Sequence, residues 1–122
     1  MLNFTLHIPT KIIFGQGEVN RTGEIVKGYA KKVLLVTERS STKKTGSLNK
    51  VTKSLQEAGI DFVVFDQIEP NPRAETVDRG GQVAREEKCD LILALGGGSA
   101  MDAAKAKVFG RNCFRFKRRS RL

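Results

Sequence analysis

Hydrophobic and polar positions divide this chain into short apolar runs separated by longer stretches of helical spacing. Leu91, Ile92, Leu93, Ala94 and Leu95 form an unbroken apolar run, the pattern of a parallel strand covered on both faces. Val33 to Val36 and Phe62 to Phe65 repeat that pattern. Between them, Leu48, Val51, Leu55 and Ala58 mark one face of a helix predicted from Thr42 to Ala58 and stopped by Gly59. Glu75 to Glu87 reads as a further helix despite Gly80 and Gly81, each of which costs about 1 kcal/mol relative to alanine. Upstream, Val19, Thr22, Ile25, Val26 and Tyr29 recur at helical spacing, with Gly28 weakening the end. At the N-terminus the period changes. Phe4 to Ile8 alternates apolar with polar residues, and Lys11 to Gly15 is a second apolar run after Pro9, which predicts an edge hairpin or two short strands. Strand centres near 35, 64 and 93, separated by helices, fit repeated βα units and an α/β fold.

A parallel sheet of this kind binds ligands outside the carboxyl ends of its strands. Those ends carry Thr37 and Glu38, Asp66 to Pro72, and Gly96 to Ser99, so the three groups are expected to converge on one crevice. Gly96, Gly97 and Gly98 let the backbone turn sharply and approach a ligand without Cβ interference. Ser99 reads as the N-cap of the following helix, and Asp102 three residues on completes a capping-box pattern. The free N–H groups and positive dipole end of such a helix form a phosphate site, with Lys105 adding a cation one turn on. The spacing is neither G-x-G-x-x-G nor a Walker A loop. Plain linker composition is the bland alternative, against which the flanking strand and cap argue. Glu38 stands where an acid accepts from the hydroxyls of an adenosine ribose, though a solvated pair with Arg39 is the simpler alternative. Pro70 and Pro72 force an extended loop around Asn71.

The net charge of +9 changes this picture little once it is located. Residues 107 to 122 hold seven basic side chains and no acid, whereas the first 106 hold 15 basic against 13 acidic. At 122 residues the chain is one domain at most. No apolar run approaches a membrane span, and no charged-then-apolar leader opens the chain. Cys89 and Cys113 make no disulfide framework, so a reducing cytoplasm is the expected location. His7 is the single histidine, and a lone strand histidine reads as structural.

GGGSAMDAAK, with TKIIFGQG near the N-terminus and EPNP at 69 to 72, resembles the motif set of the iron-containing (group III) alcohol dehydrogenases, among them the butanol dehydrogenases. Glycerol dehydrogenases and dehydroquinate synthases share a Gly-rich turn and remain competitors. The resemblance implies a partial Rossmann-like dinucleotide-binding domain over residues 1–106, truncated before the family's helical metal-binding domain, with a basic tail over 107–122 unlike the family. It implies cofactor contacts from Glu38, Asn71, Gly96, Gly97, Gly98, Ser99, Asp102 and Lys105. NAD is favoured over NADP, because a carboxylate repels a 2′-phosphate; Arg39 beside it leaves the choice open. It also implies hydride transfer between a primary alcohol or aldehyde and the cofactor, on a divalent metal (iron or zinc) whose ligands this chain lacks. No catalytic residue is assigned. A nucleotide-binding module without catalysis is the alternative. A nucleic-acid partner, which rests on the tail alone, is not favoured, and homo-oligomerisation is left open.

Overall fold

The computed structural model describes residues 3–7, 10–39 and 45–105, with Lys105 described for its backbone only. The readings of the basic tail lie outside these residues. Three strands, β1 (Lys32–Glu38), β2 (Asp61–Ile68) and β3 (Leu91–Leu95), form one parallel sheet in the order β2-β1-β3. Among the described residues the α-helices are α1 (Thr22–Val26), α2 (Ser47–Glu57), α3 (Ala74–Glu86) and α4 (Gly98–Lys105).

Central β1 is covered on both sides: Val33, Leu34, Leu35, Val36 and Thr37 are fully buried. Alternation along the strand sends Val33 and Leu35 into one apolar cluster and Leu34 and Val36 into the other. The first cluster holds Val26 of α1 with Val51 and Leu55 of α2. The second holds Val77 and Ala84 of α3 with Ala103 of α4. In α3 the buried residues are Thr76, Val77, Gly80, Gly81 and Ala84, so the glycine pair lies on the face turned to the core. The helix of Ser47 starts later than the sequence predicts: Thr45 and Gly46 form a turn, with Gly46 left-handed at φ 76°, while 42–44 lie outside the described residues.

Strand β2 contains a bulge. Val36 pairs with Phe65 but Glu38 with Ile68, so Asp66 and Gln67 face the single residue Thr37. The extra residue reverses the alternation, and Ile68 therefore joins Phe65 in the second cluster. At the opposite edge of the sheet, the Asp90 carboxylate accepts from the backbone N–H groups of Lys31 (3.1 Å) and Lys32 (3.0 Å), tying the starts of β1 and β3 together.

Two expectations fail here. The N-terminal edge hairpin does not form among the described residues: 3–7 and 10–14 are neither strand nor helix. Phe4, Leu6, Ile12 and Phe14 are 72 to 96% exposed, so the alternation finds no surface to pack on, and a hairpin without such cover is marginal. The helix predicted through Tyr29 is a 3-10 turn (Glu18–Arg21) followed by short α1, and Tyr29 is exposed. What fixes α1 is a residue 31 positions away. Ser54 of α2 accepts from the Gly23 N–H and donates to the Asn20 carbonyl, both at 2.8 Å. A helix start with no side-chain cap of its own is thus capped by its neighbour.

Candidate functional site

The helix after β1 packs on one face of the sheet, and the helix after adjacent β3 packs on the other. Neighbouring strands with connections leaving to opposite faces define a switch point, where a crevice opens beyond the strand ends. Glu38 stands in the middle of it. Its Cα pairs with Ile68 of β2, and its neighbour Thr37 pairs with Leu95, the residue before Gly96. A Cβ built on Gly97 would lie 3.3 Å from Glu38 Oε1. The strand-end acid and the glycine turn are therefore in contact range.

The turn itself departs from the expected cap. Gly97, not Ser99, is the N-cap: its carbonyl accepts from the Met101 N–H at 3.2 Å, and the helix begins at Gly98. Ser99 is the second residue of the helix, and Asp102 lies beyond the first turn, so the Ser99–Asp102 capping box does not form. Three successive glycines offer several start points with little steric cost, and the middle one serves as the cap. The consequence favours anion binding. The N–H groups of the first turn have no intrahelical partner, and Gly96, Gly97 and Gly98 are exposed. Ser99 is half-buried beside them, and Asp102 is exposed. Lys105 ends α4, seven residues after its first residue.

Asn71 lies three residues beyond Ile68, on the same sheet edge as Glu38 and Gly96 to Ser99, and is exposed. Its φ of 53° is left-handed, a region asparagine enters more readily than most residues. The residue missed by sequence reasoning is Glu69. Its Oε1 accepts from the Arg73 N–H (2.9 Å) and, with Oε2, from the Thr76 hydroxyl (2.9 and 3.2 Å). Thr76 is itself buried and accepts from Arg79 at 3.4 Å. An acid five residues ahead of a helix start was the available signal.

The Arg73 N–H first, and then the Thr76 hydroxyl, hold the Glu69 carboxyl below its ordinary 4.5; Arg39 adds a smaller pull. A depressed carboxyl stabilises the fold above the unfolded pKa and ceases to do so as pH falls through the folded one. The difference in melting temperature between the native chain and Glu69→Ala is therefore expected to be constant above about pH 5 and to shrink below it. Thermal melts from neutral to acid pH check this; a gap independent of pH would show that the carboxylate's charge contributes nothing.

With this geometry in view, comparison with known proteins decides the lineage. The family model described as iron-containing alcohol dehydrogenase matches residues 9–119. The chain belongs to the iron-containing alcohol dehydrogenase family. It is 43% identical over 110 residues to NADH-dependent butanol dehydrogenase A of Clostridium acetobutylicum, covering 90% of this chain and 28% of that protein. It is 42% identical over 105 residues to the NADPH-dependent aldehyde reductase YqhD of Escherichia coli, covering 86% of this chain and 26% of that protein. Among solved structures, NADH-dependent butanol dehydrogenase A of Thermotoga maritima superposes with a TM-score of 0.81 at 40% identity, covering 84% of this chain and 26% of that one. The chain thus spans about a quarter of the length of these family members. The fold expected from the sequence, a parallel α/β sheet with flanking helices, is the fold of these iron-containing alcohol dehydrogenases. Among the described residues no three His, Cys, Asp or Glu side chains cluster as a metal site, so no step through iron is assigned to this chain. No helix among them is long and apolar enough to cross a membrane.

Proposed function

We propose that the crevice binds a nicotinamide dinucleotide, and that in the complete enzyme the bound nucleotide exchanges hydride with a primary alcohol or aldehyde. The observation that carries this reading is the placement of Glu38 against Gly97 at the switch point of the sheet. The residues present fit the nucleotide. The open glycine turn and the unpaired N–H groups of α4 take the pyrophosphate, with Ser99 alongside. Glu38 accepts from ribose hydroxyls and disfavours a 2′-phosphate, so NAD is preferred to NADP. Asn71 closes the crevice from the β2 side. Asp102 lies exposed along the same helix and tunes its charge rather than anchoring the ligand. The nicotinamide, when bound, accepts or returns the hydride; this chain's part is to bind and orient it.

Titration of the purified chain with NADH and NADPH by calorimetry tests the reading. NADH is expected to bind more tightly than NADPH, with a Kd on the order of 0.1 mM or weaker. A crevice that leaves much of its ligand uncovered holds it weakly. Butanol with added iron or zinc is expected to give no turnover, since the described residues offer no metal cluster to stabilise the alcohol oxygen. Indifference of a folded sample to both nucleotides would remove the reading, and metal-dependent turnover by the pure chain would show that it does more than bind and orient the nucleotide.

A further inference from the structure

Pro70 and Pro72 have no backbone N–H, so Asn71 sits in a turn with almost nothing to donate. Among the described residues no backbone-to-backbone hydrogen bond crosses positions 69 to 72. Asn71 is also held at φ 53°, which costs energy outside glycine and needs the surroundings to enforce it. The bond that encloses the turn comes from a side chain: Glu69 Oε1 takes the Arg73 N–H at 2.9 Å, joining the residue before Pro70 to the residue after Pro72. The same oxygen takes the hydroxyl of Thr76, which is 2% exposed and fixed in α3. The turn is thereby tied to the buried face of a helix rather than left to its own preferences.

We infer that Glu69 is a positioning residue for dinucleotide binding, acting through Asn71 by clamping the Pro70–Asn71–Pro72 turn onto the first turn of α3. This rests on the reading of the crevice as a dinucleotide site. Glu69 takes the Arg73 N–H and the Thr76 hydroxyl, so its contribution to affinity passes through the shape of the turn.

Glu69→Ala removes both acceptors, and Glu69→Gln keeps one carbonyl oxygen that can take the Arg73 N–H and the Thr76 hydroxyl. NADH affinity, measured by calorimetry on the full chain, is expected to fall about tenfold in Glu69→Ala and no more than about threefold in Glu69→Gln. Amide exchange at Arg73 should accelerate in the first variant and stay slow in the second. The deciding measurement is a double-mutant cycle, which separates action through Asn71 from a general loosening. In an Asn71→Ala background, Glu69→Ala should cost no further affinity. An equal cost in both backgrounds overturns the inference, as does unchanged NADH affinity in Glu69→Ala alongside a clear loss in Asn71→Ala. Absence of NADH binding by the native chain overturns the dinucleotide reading and this inference together.

Discussion

Replacing Gly23 by alanine is expected to destabilise the domain by about 3 kcal/mol or more, a large share of the 5–15 kcal/mol typical of a whole domain. A Cβ there would run into the Ser54 carbonyl oxygen and lie 2.7 Å from its carbon and 2.9 Å from the Ala58 side chain. The first two are backbone atoms in α2, which cannot step aside without moving the helix. Moving it breaks the two hydrogen bonds through which Ser54 caps α1, each worth roughly 1 kcal/mol net. Gly28→Ala is the control: an added methyl there meets nothing within 4 Å. Denaturant midpoints should separate the two variants widely. Similar midpoints would mean that α1 and α2 are not in the close contact described.

The second large effect concerns binding rather than folding. Gly97→Val should leave the melting temperature nearly unchanged while lowering NADH affinity roughly a hundredfold, which from a weak start reads as no binding. The backbone at Gly97 is not among the left-handed positions, so a side chain is conformationally permitted. That side chain would push on Glu38 Oε1 and fill the space over the unpaired N–H groups of α4. One substitution thus strikes the ribose acceptor and the pyrophosphate cradle together. Full NADH affinity in a Gly97→Val chain would place the nucleotide elsewhere.

The strands were legible because a strand covered on both faces has to be apolar throughout, as β1 is, and edge strand β3 carries the same kind of run although only Leu91 in it is buried. Their order along the chain was enough to bring Glu38, the Pro-Asn-Pro turn and the glycines to one edge. Less local facts left no trace in the pattern. Alternation at Phe4 to Phe14 shows what a segment is able to bury, not whether a surface waits for it. Ser54 looks like any polar helix residue until Gly23 arrives from 31 positions away. Glu69 was visible as part of a motif, but its partners Arg73 and Thr76 acquire meaning only when α3 folds back over the turn. At the glycine turn the residue types were informative and the starting residue of the helix was not, since Gly97 serves as a cap as well as Ser99 would.

The bulge in β2 has a consequence for how this segment can change over time. Ile68 and everything after it take their directions from one surplus residue at Asp66–Gln67. Loss of either would turn Ile68 outward and hand Glu69 to the wrong side of the sheet, detaching the Pro-Asn-Pro turn from α3 in a single event. Many amino-acid exchanges at the exposed Gln67 change only a surface. A change of length changes the phase of the chain, so drift here is expected to run through identity while the residue count from Asp61 to Arg73 stays fixed.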